Sequence, residues 1–206
     1  QLYDANGPFL LDWLRSQTKG RVKTEYVHDD PEEVSEHLEE ALNGCDLVVT
    51  TGGVSVGDRD DVIECAESVG VQRGFWKVAH KPGKPLYFGC RGDVPFLGLP
   101  GNPGAVFAAT HIYLRRIIDL LEGVRPAGPR FGAARTSKVI SRRRDRTQWI
   151  GGTLETDQAG IRRFHPFLGH QGHRFGVLFR ADALARIPPG EGRFAESETV
   201  DVLELT

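Results

Sequence analysis

Apolar residues follow two different spacings along the first 121 residues, one typical of helices and one typical of strands. Helical spacing recurs over residues 8–14, 34–42, 61–70 and 104–123. Short runs rich in Val, Thr, Tyr and Phe predict strands over residues 21–27, 46–51, 75–80, 85–90 and 95–100. Because predicted strands and helices alternate, we expect an α/β domain whose mainly parallel sheet carries helices on both faces.

A second pattern follows the segment 123–130, whose Gly, Pro and Arg residues predict a linker. Helical spacing then disappears, and turn sequences separate short apolar runs. These runs predict strands over residues 137–143, 147–155, 161–167, 176–188 and 198–205. We therefore expect an α/β domain over residues 1–127 and a small all-β domain over residues 128–206.

Composition narrows the possible partners. Lys and Arg number 26 against 28 Asp and Glu, so the net charge of -2 predicts no general attraction to nucleic acid or to a membrane. No apolar run is long enough to cross a bilayer, and the first residues lack a signal-peptide pattern, which predicts a cytoplasmic location. The chain contains no methionine, and we expect it to be the C-terminal part of a longer protein.

Two further features have ordinary structural interpretations. The three cysteines, Cys45, Cys65 and Cys90, lack the spacing of metal ligands and are expected to be buried, reduced thiols. The basic run 142–146 is expected to be a solvated strand or turn rather than an anion-binding patch.

A glycine-rich loop, TTGGVSVGDRDD (50–61), follows an apolar strand and precedes a predicted helix. Glycines in this place allow backbone N–H groups to face an anion, and the helix adds its positive end. Gly52 and Gly57 have the five-residue offset of a P-loop. However, Asp58 and Arg59 stand where that motif requires Lys and Ser or Thr, so a nucleoside triphosphatase is disfavoured.

The carboxylates at the end of this loop suggest a metal ion. Asp58, Asp60 and Asp61 would repel a phosphate unless a hard cation such as Mg²⁺ lay between them. The alternative is that Asp60 only caps the helix that follows.

The segment KPGKP (81–85) places two ammonium groups, Lys81 and Lys84, three residues apart. Pro82 and Pro85 stiffen this segment, so the two charges could hold a compact dianion with little reorganisation. The alternative is a surface turn with two solvated lysines.

A third turn from strand to helix lies in LPGNPGAVF (99–107), where Asn102 is a good helix cap and Pro103 suits the first turn. The segment 28–30 (HDD) adds carboxylates after another predicted strand, with Asp30 as a weaker candidate. Several such loops at the ends of successive strands favour one shared pocket.

Together these motifs resemble the molybdopterin molybdenumtransferase family, which includes the bacterial MoeA type and the E domain of gephyrin. The resemblance covers nearly the whole chain, and no single motif carries it. The motifs, in the family's order and spacing, are DAN (4–6), DDP (29–31), TTGGVSVGDRD, HKPGKPLYFG, GLPGNPGAVF and GHQG (169–172).

The resemblance implies a reaction in which adenylylated molybdopterin and molybdate give the molybdenum cofactor and AMP, assisted by Mg²⁺. Asp58 and Asp60 would hold the metal, and Lys81 and Lys84 would face molybdate. These four would be the catalytic residues. The residues implied to border the bound pterin nucleotide are Gly52, Gly53, Ser55, Gly57, Pro82, Gly101, Asn102 and Pro103.

The resemblance also implies a homodimer and a possible adenylyltransferase partner. Family members usually carry two further N-terminal domains. Some have Arg where this chain has Gly151 and Ser where it has His173, so His173 or Arg174 could supply the oxyanion site instead. Two other functions remain open: a molybdopterin-binding adenylyltransferase that uses ATP, and a non-catalytic scaffold like gephyrin.

Overall fold

The computed structural model describes residues 4–55, 61–168 and 175–205. Contacts divide these residues into two compact units. The first contains the described residues up to Val78 together with Gly83–Ala127. The second contains Ala79–Pro82 together with the described residues from Gly128 onward. No helix among the described ranges is both long and apolar enough to span a membrane.

The helices of the first unit confirm the four helical predictions. The longest predicted helix contains a π-helical turn that divides it into two α-helical parts. The bounds are α1 Asn6–Gln17, α2 Pro31–Gly44, α3 Val62–Ser68, α4 Pro103–Ala109, the π-helical turn Thr110–Leu114 and α5 Arg115–Leu121.

Helix α2 begins as its sequence predicts. The carboxylate of Asp30 accepts hydrogen bonds from the backbone N–H groups of Glu32 (3.1 Å) and Glu33 (3.0 Å). Pro31 occupies the first turn, where no N–H is required. Asp30 therefore acts as a helix cap, which explains its presence without a role in a ligand site.

The sheet of the first unit has four strands, β1 (Val48–Thr51), β2 (Gln72–Trp76), β4 (Tyr87–Arg91) and β5 (Val94–Leu99), in the order β1-β5-β4-β2. Of the three neighbouring pairs in this sheet, β1–β5 is parallel and the other two are antiparallel, so the prediction of a mainly parallel sheet is wrong. The reason lies in the connection between β4 and β5, which is only Gly92-Asp93. A two-residue loop closes a hairpin and cannot make the crossover that parallel strands need.

The strand predicted over residues 21–27 is also absent. This segment belongs to no described strand ladder, and within it only Val22 and Val27 are partly buried. Val22 and Tyr26 would share one face of a strand, yet the Tyr26 side chain is 74% exposed. The segment therefore lacks the apolar face that would hold a strand against the core.

One part of the core of the first unit lies between the sheet and helices α2 and α3. Leu42 of α2 and Ile63 of α3 pack in one cluster with Val48 of β1 and with Tyr87 and Phe96 of β4 and β5. This packing fixes the sheet and thereby the places where β1 and β5 end.

The second unit is built around a closed sheet. Strands β8 (Thr147–Thr156), β9 (Arg162–Pro166), β6 (Phe131–Thr136), β12 (Thr199–Glu204) and β10 (Ala183–Ile187) form a ring, because β10 also pairs with β8. Strand β3 (His80–Lys81) pairs with the first two residues of β8. Strand β7 (Ile140–Ser141) pairs with β11 (Arg193–Phe194). Closure gives each of the five strands two neighbours in the ring.

Some predictions for this unit need correction. The run predicted as one strand over residues 176–188 contains the short helix α6 (Phe175–Leu178) before β10, so the unit is not all-β. Strand β6 was not predicted. Of the strand predicted over 137–143, only the two residues of β7 form a strand. In the basic run 142–146, Arg142 is partly buried and its guanidinium lies 5.5 Å from the ring centre of Phe194.

The cysteines are all free thiols, but they differ in burial. Cys65 is buried, as predicted, and Cys90 is partly buried. Cys45 is exposed, so the prediction of a buried thiol is wrong there. It follows the last turn of α2, where the chain leaves the core for β1.

Candidate functional site

The glycine loop after β1 and the loop after β5 lie side by side. The two strands are parallel, with Thr51 opposite Leu99, so their loops leave from the same edge of the sheet. The N–H of Gly52 donates a hydrogen bond to the carbonyl of Leu99 at 3.0 Å. A Cβ atom placed on Gly101 would lie 3.7 Å from the Cα of Gly52. The structure thus brings two of the predicted loops together.

Glycine is needed at positions 52 and 53 of the first loop for different structural reasons. Gly52 and Gly53 both have positive φ angles, 89° and 67°, which favour glycine. A Cβ atom on Gly53 would also lie 2.3 Å from Cγ2 of Val62, whereas one on Gly52 would have no described atom within 4 Å. Gly53 is therefore required by packing, whereas at Gly52 the described residues leave room for a side chain.

Asn102 and Pro103 shape the start of helix α4. The side-chain oxygen of Asn102 accepts a hydrogen bond from the N–H of Ala105 at 3.2 Å, and Pro103 follows as the first helical residue. Both residues occupy the helix start that the sequence predicts. The helical segment that continues to Leu121 directs its positive end toward this loop.

Asn6 joins the two loops, although sequence reasoning noted it only as part of the DAN motif. Its side-chain amide nitrogen lies 2.9 Å from Oγ1 of Thr51 and 3.0 Å from the carbonyl oxygen of Gly101. The side chain is buried. Its partners lie 45 and 95 residues away along the chain, so no local pattern could have revealed the contact.

Trp76 holds the glycine loop from its other side. The indole N–H donates a hydrogen bond to the carbonyl of Val54 at 3.0 Å, and Val54 itself is buried. Lys77 follows with a positive φ of 71°, and its ammonium lies 3.9 Å from the centre of the Trp76 ring. Lysine rarely adopts this backbone conformation, which costs about 1–3 kcal/mol and recurs at ligand-binding segments. Sequence reasoning placed both residues in a predicted strand and missed this arrangement.

The candidate metal ligands are only partly described. Ser55 is exposed at the end of the first described range, while Gly57, Asp58 and Asp60 lie outside the described residues. Asp61 is exposed and precedes α3 without a hydrogen bond from its side chain to the helix. Among the residues that the structure describes, no three His, Cys, Asp or Glu side chains cluster as metal ligands.

The KPGKP segment contains two exposed lysines in different surroundings. Lys81 lies on β3 and belongs to the second unit, whereas Lys84 belongs to the first. His80 is buried beside them, which lowers its pKa, and its Nδ1 lies 2.6 Å from the carbonyl of Pro82. Because a carbonyl only accepts, Nδ1 carries the proton in this bond. Pro82 is partly buried.

Packing explains the glycine at position 151. It lies on β8 and is buried, and a Cβ atom there would lie 2.9 Å from Cδ2 of Leu178. The larger Arg of some family members would require Leu178 to move. His173 and Arg174 lie outside the described residues, as does the GHQG motif.

Two family descriptions match the chain. Residues 1–119 match the family described as a probable molybdopterin binding domain. Residues 133–205 match the MoeA C-terminal region, also called domain IV.

Similar proteins span both regions. A molybdopterin molybdenumtransferase of a Nostoc species is 30% identical over 210 residues, covering 100% of this chain and 48% of the relative. One from Haemophilus influenzae is 30% identical, covering 98% and 50%. The crystal structure of a molybdopterin biosynthesis MoeA protein from Pyrococcus horikoshii has a TM-score of 0.79 at 26% identity, covering 99% and 48%. The chain thus spans about half the length of the relatives it matches.

Proposed function

We propose that this chain takes part in molybdenum cofactor biosynthesis. It belongs to the family of probable molybdopterin binding domains and matches the C-terminal portion of MoeA proteins. The proposed reaction inserts molybdate into adenylylated molybdopterin and releases AMP. The proposal extends to the reaction because curated relatives are named molybdopterin molybdenumtransferases.

The observation that carries the proposal is the pair of glycine loops beyond β1 and β5. Gly52 and Gly53 have positive φ, and a Cβ atom on Gly101 would be in van der Waals contact with the Cα of Gly52, so the two loops lie side by side. Turns of this kind can direct backbone N–H groups at an anion. We propose that Gly52, Gly53, Ser55 and Gly57 border the pterin phosphate.

The loop before α4 would form the facing wall. Gly101, Asn102 and Pro103 stand at the start of a helix, whose positive end favours a phosphate or another anion. Pro82 would contribute to the wall from the lysine segment.

Mg²⁺ fits the donor chemistry of the same loop. Carboxylate oxygens are hard ligands, and Asp61 offers an exposed carboxylate that does not cap α3. We propose that Asp58 and Asp60, with Asp61 beside them, would hold the ion. Bound there, it would offset negative charge on the phosphoanhydride that is cleaved.

Lys81 and Lys84 are proposed to bind molybdate. Both side chains are exposed, and three residues of chain span at most about 10 Å. That distance limits the separation of the two Cα atoms, and the long, flexible lysine side chains could bring both ammonium groups to one small dianion. The burial of His80 keeps its ring neutral, so the lysines supply the positive charge of this segment.

Three further expectations rest on the family resemblance alone and are part of the proposal. They are a homodimer, a cytoplasmic location and a possible adenylyltransferase partner. Sedimentation of the purified chain, cell fractionation and co-purification test them separately.

Release of AMP tests the proposed reaction. With adenylylated molybdopterin, molybdate and Mg²⁺, the chain should release AMP. Asp58→Asn combined with Asp60→Asn should abolish this Mg²⁺-dependent release. Asp46→Asn is a matched control, because Asp46 is exposed before β1. Unchanged Mg²⁺ dependence in the double variant contradicts the metal role, and turnover of ATP with molybdopterin instead would indicate an adenylyltransferase.

A further inference from the structure

We propose that Asn6 is a positioning residue whose amide sets the distance between the two loops that bind the pterin nucleotide. This inference rests on the proposed function of those loops. Asn6 donates hydrogen bonds to one residue from each of them, Thr51 and Gly101.

The orientation of the Asn6 amide follows from its partners. The carbonyl oxygen of Gly101 can only accept a hydrogen bond, so the atom 3.0 Å from it must be the amide nitrogen. The same nitrogen lies 2.9 Å from Oγ1 of Thr51. An amide nitrogen has two protons, and each loop receives one of them.

The hydroxyl of Thr51 continues the connection. It accepts from Asn6 and lies 3.4 Å from the carbonyl oxygen of Pro100, to which it donates. Thr51 ends β1, and Pro100 follows β5. Asn6 and Thr51 therefore link both loops through three hydrogen bonds in one continuous network.

The position of Asn6 is itself fixed by Asp4. The Asp4 carboxylate accepts hydrogen bonds from the backbone N–H of Asn6 (2.9 Å), from that of Gly7 (3.1 Å) and from the Tyr26 hydroxyl (2.6 Å). Partial burial opposes ionisation of Asp4, but these hydrogen bonds keep its pKa below the ordinary value. A Cβ atom on Gly7 would lie 2.4 Å from the Asp4 carboxylate, so a side chain there would push Asp4 out of this position.

A role in packing alone does not explain an asparagine here. Its side chain is only 8% exposed, and its Oδ1 atom has no hydrogen-bond partner among the described residues. Leaving a buried carbonyl oxygen unbonded costs stability, which an apolar residue of the same size would avoid. The two bonds from the nitrogen supply what an apolar residue cannot, which is a fixed link between the loops.

The test compares Asn6→Asp with the matched control Asn43→Asp. Aspartate has the same shape as asparagine, but in its ionised form it cannot donate to Thr51 or Gly101. Asn43 is exposed on α2, and its side-chain oxygen accepts from Arg91, which aspartate also allows. At pH 8 the Kd for adenylylated molybdopterin should rise at least tenfold in Asn6→Asp and stay within twofold in Asn43→Asp.

The pH dependence tests whether the lost hydrogen-bond donor causes the weaker binding. Protonation of the new carboxyl restores one donor, so the ratio of the Asn6→Asp Kd to the wild-type Kd should fall as pH is lowered from 8 to 5. Asp4, the charged group that contacts Asn6, stays ionised over this range because its pKa is low. A ratio near one at pH 8, or a raised ratio that does not change with pH, overturns the proposal.

Two further measurements cover the remaining outcomes. If Asn6→Asp does not fold, Thr51→Val should raise the Kd several-fold and Thr51→Ser should not, since only serine keeps the hydroxyl; equal values overturn the proposal. If the wild-type chain does not bind the nucleotide, the proposed function fails instead. Positioning is then tested by hydrogen exchange of the Gly52 amide, which should be about tenfold faster in Asn6→Asp than in Asn43→Asp, and equal rates overturn it.

Discussion

Gly52 and Gly53 allow binding to be separated from stability, because alanine at the two positions meets different surroundings. Both residues have positive φ, so alanine is strained at either one. At Gly53 the new methyl group would also lie 2.3 Å from Cγ2 of Val62, whereas at Gly52 it would meet no described atom within 4 Å. Gly52→Ala should therefore affect mainly the ligand, and Gly53→Ala mainly the fold.

The expected magnitudes follow from these two causes. A left-handed backbone costs an L-residue about 1–2 kcal/mol, which applies to both variants. Overpacking against Val62 adds about 1–3 kcal/mol at Gly53 only. Gly53→Ala should thus lower the free energy of unfolding of the first unit by about 1–3 kcal/mol more than Gly52→Ala does.

Urea unfolding followed by tryptophan fluorescence measures the difference, in a Trp149→Phe background. Trp149 is in the second unit, so the remaining tryptophans, Trp13 and Trp76, then report on the first. The indole N–H of Trp149 has no hydrogen-bond partner among the described residues, so phenylalanine loses no such bond. Titration with adenylylated molybdopterin gives the affinity of each variant.

Two results would refute this reasoning. Val62→Ala removes the obstructing methyl groups, so adding it to Gly53→Ala should recover stability relative to the sum of the two single effects. Purely additive effects would show that the contact with Val62 is not the cause. If Gly52→Ala keeps wild-type affinity for the nucleotide, the ligand does not bind against Gly52.

Other side chains give independent predictions. Trp76→Phe removes a hydrogen bond to the glycine loop and should lower the stability of the first unit by about 1–3 kcal/mol in urea unfolding. Lys81→Gln or Lys84→Gln should each raise the molybdate concentration for half-maximal AMP release by about tenfold, a cost of about 1.4 kcal/mol, whereas Arg143→Gln should not. Burial lowers the pKa of His111 from 6.5 to about 4, so the unfolded chain takes up a proton at higher pH than the folded chain. Stability should fall by up to roughly 3 kcal/mol as pH drops from 6.5 to 4, and His111→Phe should remove this part of the pH dependence.

Much of the first unit could be predicted from local pattern. Helix α2 begins at Asp30-Pro31 because a cap and a first-turn proline satisfy its first N–H groups, and the sequence shows both. The pairing of the strands could not be predicted in the same way, because the periodicity of a strand does not indicate which strands lie beside it. The two-residue connection Gly92-Asp93 was the local signal for an antiparallel pair of strands.

The site was predictable only where it is local. The glycine loop and the start of α4 were found from their own sequences, and the parallel pairing of β1 with β5 brings them together. The contacts of Asn6 cross 45 and 95 residues and depend on side-chain placement that no motif encodes. Trp76 was predicted only as a strand residue. Its hydrogen-bond partner, the carbonyl of Val54, lies 22 residues away along the chain, so no local pattern indicates the contact.

The central claim is that the adjacent glycine loops bind the pterin nucleotide, and backbone NMR tests it most directly. The N–H signals of Gly52, Gly53 and Gly101 should shift when the ¹⁵N-labelled chain is titrated with adenylylated molybdopterin, and Gly160, in a turn of the second unit, should serve as an unshifted reference. Saturable shifts at the three loop glycines are the predicted result. Saturable binding that leaves all three signals in place would contradict the account.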